Sequence, residues 1–385
     1  MLSTSIKTIF LISFLMLLLI GCSEQKINET QFIKTLTLGN DSIYLQCDED
    51  TLAFPFSAIG LYDTVNSEAA TSMTIYSTTD TLIFTPDSIH KNIKVISGEN
   101  TKFLTVTYFK IAKNNYSDKL NLLKEYAVYN SSNTKNVEFT YSTPNNKNLI
   151  ELRKQYNLES VAGNGSEISK IINLLHWANK IVRHNGSTGS ANPNPKNALN
   201  IIETCQKENK GVNCRMMATL LNEAYLSMGF KSRHITCLPY DKADNDCHVI
   251  NIVYSDSLKK WLYVDPTFAA YFFDADSNFL SIEEVRKKII KGEKLLLPND
   301  INWNGQPKEK IVYLAYMAKN LFRFSSPIRS EFGYESKKGD RAWVNLNPVG
   351  YDDSLSGTVD TYNKQDITNT TYYTNDDAYF WIKPN

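Results

Sequence analysis

The stretch that decides the fold class is GVNCRMMATLLNEAYLSMGFKSRHITCLPYDKADNDCHVINIVYSDSLKKWLYVDPT, residues 211–267 of a chain of 385. It carries a thiol, an imidazole and a carboxylate in that order, at Cys214, His248 and Asp265. The predicted elements between them are short, so local structure can bring the three side chains together. These are the groups that a thiol nucleophile, its base and the acid that orients the base require.

Cys214 is predicted to stand at the N-terminus of a helix. From Arg215 onward apolar residues recur at helical spacing, and Gly229 supplies a stop. Unpaired N–H groups and the positive end of the helix dipole favour thiolate over thiol there, and they can also donate to a developing oxyanion. The apolar residues of the pattern are Met216, Met217, Leu220, Leu221, Ala224, Tyr225 and Met228.

His248 and Asp265 lie on two runs that predict an antiparallel hairpin. Both runs are rich in β-branched and aromatic residues, and a polar turn at Asp256 and Ser257 joins them. A two-residue turn there places His248 directly opposite Asp265, within reach of a hydrogen bond. A four-residue turn keeps the two side chains on one face but on a diagonal, and an odd change in length puts them on opposite faces.

Each of the three residues, taken alone, also has a structural interpretation. A single Cys at a helix start is commonly a small buried residue, a single His is commonly structural, and Asp-Pro-Thr is a common exit from a strand. The ordered set, with a geometry that closes, favours a catalytic interpretation.

These motifs resemble those of the transglutaminase-like cysteine enzymes, whose fold is similar to that of papain. The matching elements are GxxCR at a helix start, GFKSR after the helix, CHV on a strand and KWLYVDPT on the next strand, within about a third of the chain. The resemblance implies an α+β fold in which the helix bearing the Cys packs on an antiparallel sheet. It implies that Cys214 is the nucleophile, that His248 is the general base and acid, and that Asp265 orients His248.

The resemblance also implies a side chain that completes an oxyanion hole, for which Trp177, Gln206 and Asn213 are candidates. Trp177 lies in a helical pattern with apolar neighbours, which favours a position in the core. A loop at 185–196, with two prolines, precedes the Cys214 helix and can form the rim of a cleft.

Residues 1–21 are predicted to be a signal peptide. Lys7 precedes an apolar run that is too short to span a bilayer, and the run closes with LIGC at 19–22. This tetrapeptide looks like a bacterial lipobox, which implies cleavage before Cys22, lipidation of its thiol and a lipid-anchored protein of the cell envelope. Ser23 after the Cys favours the outer membrane. The alternative, an ordinary cleaved secretory signal, keeps export but not the anchor.

The rest of the chain divides by composition. We predict a tether at 22–33, a small β-rich, sandwich-like domain at 34–113 and a junction at 114–165. The transglutaminase-like domain follows at 166–330, and strands at 331–385 either complete its sheet or cover its cleft. The β-rich domain is interpreted as a spacer or, less favoured, as a binding module.

The remaining cysteines are odd in number, as expected if one thiol stays free. Cys237 and Cys247 flank a polar loop between strand-like runs and can form a disulfide. No zinc spacing and no calcium-loop pattern occurs, so neither a metal nor a cofactor is predicted. The 41 basic and 41 acidic residues balance, and no basic stripe is interleaved with aromatics, which argues against a nucleic-acid partner. The five cysteines after Cys22 are Cys47, Cys205, Cys214, Cys237 and Cys247.

The implied chemistry is acyl transfer from a carboxamide through a thioester on Cys214. Water as the second nucleophile gives a peptidase or amidase, and a primary amine gives a protein-glutamine γ-glutamyltransferase. For an exported protein we favour hydrolysis of a peptide or protein amide, because water is everywhere and the sequence indicates no amine pocket. A non-catalytic surface protein that binds glycans or proteins with the same fold is the alternative from another class.

Overall fold

The computed structural model describes most of the chain. The predicted signal peptide, Cys22 and the start of the predicted tether lie outside the described residues. Those residues are 32–38, 43–47, 50–54, 64–67, 72–84, 91–97, 100–108, 114–126, 128–131, 137–352, 357–364 and 367–385.

The N-terminal region contains two four-stranded sheets among its described residues. Its strands are β1 (Phe32–Leu38), β2 (Ile43–Cys47), β3 (Asp50–Phe54), β4 (Thr64–Ser67), β5 (Met73–Tyr76), β6 (Thr81–Phe84), β7 (Lys91–Ser97) and β8 (Asn100–Tyr108). One sheet has the order β1-β7-β8-β4, and the other, antiparallel throughout, has the order β3-β2-β5-β6. Alternate residues of β5 are buried, which is the period of a strand with one face in a core.

In the sequence, six helices of the described residues follow these sheets and precede the central sheet. They are α1 (Asn114–Tyr126), α2 (Lys147–Gln155), α3 (Leu158–Ala162), α4 (Glu167–Ile181), α5 (Ala198–Glu208) and α6 (Cys214–Ser227), with a short strand β9 (Thr140–Tyr141) after α1. Asn146, Ser166, Asn197 and Asn213 each cap a helix, because the side chain of each accepts a hydrogen bond from an N–H of the first turn. The interval 114–165, interpreted from the sequence as a junction, therefore contains three helices.

A seven-stranded sheet forms the centre of the C-terminal region, in the order β12-β11-β10-β15-β17-β19-β18. Its strands are β10 (Ser232–Leu238), β11 (His248–Ser255), β12 (Lys260–Val264), β15 (Arg323–Pro327), β17 (Gly339–Leu346), β18 (Val359–Lys364) and β19 (Ile367–Thr374). Neighbouring strands are antiparallel except for β17 and β19. The strands of the C-terminal tail thus extend the sheet that carries the predicted hairpin.

The remaining elements lie between and after the strands of this sheet in the sequence. They are α7 (Ile282–Lys291), α8 (Lys310–Asn320) and α9 (Asp377–Phe380), a 3₁₀ turn (Tyr334–Ser336), and the short strands β13 (Asn302–Trp303), β14 (Gln306–Pro307) and β16 (Arg329–Ser330). β13 pairs with β14, and β16 pairs with β9.

Both faces of the central hairpin are buried. Val253 of β11 packs in one apolar cluster with α6, and its neighbour Ile252 packs in a second cluster on the opposite face. Every residue of β11 is buried, and nearly all of α6 is buried as well. The α+β fold class is confirmed, with the helix that starts at Cys214 lying against β10 and β11.

The hairpin differs from its prediction in the length of the turn. Ser255 lies opposite Lys260, so the turn has four residues rather than two, and Ile252 lies opposite Tyr263 rather than Trp261. Asp265 therefore lies on a diagonal to His248 instead of directly across from it. Because the change in length is even, both side chains remain on one face of the hairpin.

Glu167 is the physical reason for the longer turn. Its carboxylate, at the start of α4, accepts hydrogen bonds from the backbone N–H groups of Asp256 and Ser257, both at 2.9 Å, and from the hydroxyl of Ser255 at 2.6 Å. Burial raises the pKa of Glu167, but these hydrogen bonds outweigh burial and bring the pKa to about 2. The clamp comes from a residue almost ninety positions away, so the turn sequence alone does not reveal it.

Candidate active site

Cys214 is the first residue of α6, and its thiol is half-buried. Asn213 caps the helix by accepting a hydrogen bond from the Met216 N–H at 3.1 Å. The thiol therefore lies where the unpaired N–H groups and the dipole of a fourteen-residue helix stabilise a negative charge.

Gly211 allows another segment to approach the thiol closely. The Val212 N–H donates to the Arg183 carbonyl at 2.9 Å, and the Asn185 N–H donates to the Val212 carbonyl at 2.7 Å. A Cβ atom on residue 211 would lie 2.5 Å from the Arg183 carbonyl oxygen, which no real Cβ tolerates. Because residue 211 is glycine, the segment that contains His184 can lie directly against Val212, just before the helix that starts at Cys214.

His248 and Asp265 form a buried hydrogen-bonded pair. The His248 Nε2 lies 2.7 Å from the Asp265 Oδ2, and both side chains are almost completely buried. The Tyr313 hydroxyl donates to the same carboxylate oxygen at 2.8 Å, and the Thr267 N–H donates to the other oxygen at 2.8 Å. Asp265 is therefore fixed by three donors, and Nδ1 is the nitrogen of His248 that remains for Cys214.

The charges of the site favour a thiolate beside an imidazolium. Burial raises the pKa of Cys214, but hydrogen bonds from His184 and His248, the charge on His248 and the Val249 N–H together lower it well below the ordinary value. Burial lowers the pKa of His248, but the Asp265 carboxylate outweighs burial and raises it, and Cys214 adds to the rise. Each ionised group stabilises the other, so the proton is held on nitrogen rather than on sulfur.

Two aromatic rings and an anchored loop hold the imidazole of His248. The ring centroids of Phe268 and Tyr316 lie 5.6 and 5.3 Å from that of His248. Lys319 of α8 bridges Asp244 and Asp246 at 3.0 and 2.8 Å, which ties the loop before His248 to α8. Aromatic rings therefore pack against the imidazole of His248. A shift of the strand that carries His248 would break the ion pairs of Lys319.

Arg215, the residue after the nucleophile, anchors the first turn of α6. Its guanidinium donates to the Glu335 carboxylate at 3.3 Å and to the Thr236 hydroxyl at 3.2 Å, and the His234 Nε2 also lies 3.3 Å from Glu335. Burial raises the pKa of Glu335, but His234 and Arg215 outweigh burial and bring it to about 2. The arginine of GxxCR therefore fixes the orientation of the helix that presents the thiol.

The three predicted oxyanion candidates have other environments. Asn213 uses its side-chain oxygen to cap α6, Trp177 packs against Tyr156 in the apolar cluster of α4, and Gln206 is exposed on α5. Besides His248, the side chain that hydrogen-bonds Cys214 is that of His184, which no motif of the sequence marks. His184 directly precedes the loop at 185–196 that was expected to form the rim of a cleft, and this position was the only signal for it.

The disulfide that the sequence allowed between Cys237 and Cys247 is not formed, because both cysteines are free. Cys237 lies directly across from His248 on the neighbouring strand, so these two side chains point to the same face. Cys247 precedes His248 by one residue and alternates away from that face. Cys205 is also free, and the side chain of Cys47 lies outside the described part of the structure.

Two further observations apply to the described residues only. They contain no group of three or more His, Cys, Asp or Glu side chains that could hold a metal ion. None of the described helices is long and apolar enough to cross a membrane.

A thiol at a helix N-terminus, with an imidazole and a carboxylate on two strands of an antiparallel sheet, defines the papain-like class of α+β domains. Residues 154–266 match the family model described as the transglutaminase-like superfamily. The chain therefore contains a transglutaminase-like domain, in agreement with the motifs of its sequence.

A solved structure with partial similarity is that of red sea bream transglutaminase. It is 11% identical, with a TM-score of 0.23, and the similarity covers 59% of this chain and 45% of that enzyme. This chain thus matches less than half of the length of that enzyme.

Proposed function

We propose that the protein is a cysteine acyl-transfer enzyme that cleaves a peptide or protein carboxamide through a thioester on Cys214. The observation that carries the proposal is the buried contact of 2.7 Å between His248 and Asp265, with the Cys214 thiol beside the same imidazole. The charge on His248 lowers the pKa of the thiol, which favours the thiolate. Such an arrangement generates a nucleophile at neutral pH without a cofactor.

The first half-reaction forms the thioester. The Cys214 Sγ attacks the carbonyl carbon, and the carbonyl π electrons move to oxygen to give a tetrahedral oxyanion. The carbonyl re-forms as the C–N bond breaks, and His248 gives its Nδ1 proton to the leaving nitrogen. Asp265 keeps its bond to Nε2 throughout, so the ring retains one orientation while its charge changes.

The second half-reaction releases the acyl group. His248, now neutral, takes a proton from water or from a primary amine as that group attacks the thioester carbonyl. The C–S bond breaks, and the thiolate leaves to re-form its ion pair with the protonated His248. Water gives hydrolysis, which we favour, and an amine gives cross-linking; the two outcomes share Cys214, His248 and Asp265.

Product analysis tests the proposal and separates the two outcomes. The chain from Ser23 onward is incubated with a pool of glutamine-containing peptides, with and without a fluorescent primary amine, and products are identified by mass. We expect new carboxylates or cleaved peptides in buffer, with activity lost in Cys214→Ala and kept in the matched thiol variant Cys205→Ala. Incorporation of the amine in place of hydrolysis identifies the cross-linking enzyme. Product formation that survives Cys214→Ala contradicts the proposal.

We further propose that the enzyme is exported and held at the envelope membrane by lipid on Cys22. The apolar segment, the LIGC tetrapeptide and the polar stretch after it support this proposal. Metabolic labelling with a palmitate analogue tests it: the label is expected on the wild-type protein and not on Cys22→Ala. An unlabelled protein that is secreted in soluble form would indicate the ordinary signal peptide instead.

A further inference from the structure

His184 is the second histidine at Cys214, and its backbone is held there firmly. It pairs with Val212, two residues before the nucleophile, in an isolated parallel bridge. Asn304 holds its main chain from the other side, because the Asn304 Oδ1 accepts from the His184 N–H at 2.6 Å and the Asn304 Nδ2 donates to the His184 carbonyl at 2.9 Å. The main chain of His184, from which the imidazole extends, is therefore held in one position near the thiol.

Trp303, the residue before Asn304 in the β13–β14 hairpin, contacts the imidazole ring itself. The Trp303 indole Nε1 donates a hydrogen bond to the His184 Nδ1 at 3.0 Å. The two rings are oriented edge to face, with their centroids 6.2 Å apart. An indole N–H is a donor only, so the Nδ1 that receives it carries no hydrogen. A neutral imidazole then carries its hydrogen on Nε2, and Nε2 is the nitrogen left for Cys214.

His184 thus differs in kind from His248. Among the described residues, the side chains of His176, His234 and His248 lie 3.9, 3.3 and 2.7 Å from a carboxylate oxygen, and His184 is not among them. The ring partner of His184 is instead the neutral N–H of Trp303. The hydrogen of this imidazole therefore lies on Nε2, from which it can be donated.

We propose that the His184 Nε2–H is a second hydrogen-bond donor at the reaction centre, and that Trp303 is the positioning residue that fixes its tautomer. The donor stabilises the resting thiolate, and when the carbonyl oxygen gains charge in the tetrahedral intermediate it stabilises that oxygen together with the N–H groups at the start of α6. No proton leaves His184 in this role. The assignment of the oxyanion role rests on the proposed function, whereas the tautomer and the contact with the thiolate do not.

Variants of the two residues separate the donor from its positioning. His184→Ala removes the donor, His184→Gln restores an N–H on a side chain of similar reach, and Trp303→Phe removes only the indole N–H from an aromatic ring. His176→Gln is the control, since His176 is a partly buried histidine of α4 whose Nε2 lies 3.9 Å from Asp300 and which makes no contact with Cys214.

Three measurements are made on each folded variant. Imidazole nitrogen NMR of the folded chain reports the His184 tautomer, the pH profile of iodoacetamide alkylation reports the Cys214 thiolate, and peptide turnover reports kcat and KM. In the wild type we expect the Nε2–H tautomer. We expect His184→Ala to lower kcat roughly 10²-fold with little change in KM, the usual effect of losing one oxyanion donor, and His184→Gln to recover most of this loss.

The variant Trp303→Phe tests whether Trp303 fixes the tautomer of His184. We expect the NMR spectrum of this variant to show His184 as a mixture of tautomers, kcat to fall roughly tenfold, and the alkylation profile to move to higher pH. An unchanged tautomer signature in Trp303→Phe overturns the positioning role, and an alkylation profile and kcat in His184→Ala equal to those of the wild type overturn the donor role. If the NMR and alkylation results hold but no peptide turnover is found, the proposed acyl transfer fails while the contact of His184 with the thiolate stands.

Discussion

Replacing Asp265 by Asn should raise the pH at which Cys214 becomes reactive. The carboxylate stabilises the imidazolium of His248 across 2.7 Å, and that imidazolium is one of the groups that bring the pKa of Cys214 to about 6. Asn keeps the size of the side chain and removes its charge. His248 then becomes neutral near pH 7, and the thiolate loses its closest positive charge.

The size of the shift follows from the contacts that are lost and those that remain. A unit charge about 4 Å from the thiolate contributes about 4 kcal/mol at an effective dielectric of about 20, which corresponds to about three pKa units as an upper limit. His184, the Val249 N–H and the helix dipole remain in the variant. We therefore expect the pKa of Cys214 to rise by roughly one to two units, which lowers the thiolate fraction at pH 6 from about a half to roughly a tenth or less.

The assay is the alkylation rate of Cys214 by iodoacetamide between about pH 4 and pH 10, followed by peptide mass spectrometry. The midpoint of the profile is compared, rather than the rate at one pH, because a thiolate of higher pKa is also a stronger nucleophile. Asp276→Asn, an exposed carboxylate outside the site, is the matched control. If Asp265→Asn is folded and its midpoint remains at the wild-type value, the reasoning that Asp265 acts through His248 is refuted.

Three other variants test the scaffold of the site. Glu167→Gln should lower the free energy of unfolding by about 1 kcal/mol at pH 7, because it removes a charged acceptor from four donors. The folded pKa of Glu167 lies below its unfolded value, so its contribution to stability is present above about pH 5 and is lost as the pH falls towards 2. The difference in free energy of unfolding between the wild type and Glu167→Gln, measured by urea titration, should therefore be smaller at pH 3 than at pH 7. An equal difference at both pH values would contradict this. Gly211→Ala forces a Cβ against the Arg183 carbonyl and should lower the free energy of unfolding, measured by urea titration, by about 2–4 kcal/mol. It should also slow the alkylation of Cys214 at pH 6. Wild-type values for both measurements would show that the close approach of the two segments is not needed. Tyr313→Phe removes the hydroxyl that donates to Asp265 and should cost about 1–2 kcal/mol by the same titration, and an unchanged stability would show that the carboxylate needs only its other two donors.

The local parts of the fold could be predicted from the sequence because their causes are local. The apolar spacing after Arg215 and the stop at Gly229 correspond to a helix over Cys214–Ser227, and the two β-branched runs form the expected antiparallel hairpin. The resemblance to transglutaminase-like enzymes agrees with the family match at 154–266. These features depend on periodicity and capping within a few residues, which a single sequence displays.

The features that were missed depend on contacts between distant residues. The length of the hairpin turn is set by Glu167, and the position of His184 is set by Gly211, Trp303 and Asn304. Nothing near RHNG at 183–186 marks its histidine as different from any loop histidine, because its partner Trp303 lies more than a hundred residues further along the chain. Trp177, Gln206 and Asn213 were therefore the candidates for the oxyanion donor that the sequence offered.

Geometry explains why the disulfide that the sequence left open is not formed. Cys237 and Cys247 flank one loop, and this closeness in sequence suggested a pair. The observed register sets Cys237 against His248, so strand alternation directs the two thiols to opposite faces. A register one residue different would have allowed the pair, and the register is fixed by the sheet rather than by the loop.

The most direct test of the central claim is to trap the thioester. The chain from Ser23 onward is mixed with a peptide pool, quenched in acid and measured by intact mass. An acyl adduct is predicted on the wild-type protein and not on Cys214→Ala, and it should disappear when the protein is returned to neutral buffer or given a primary amine. A wild-type protein that forms no adduct, and whose Cys214 reacts with iodoacetamide no faster than Cys247 at mildly acidic pH, would contradict the claim and favour a non-catalytic binding protein with this fold.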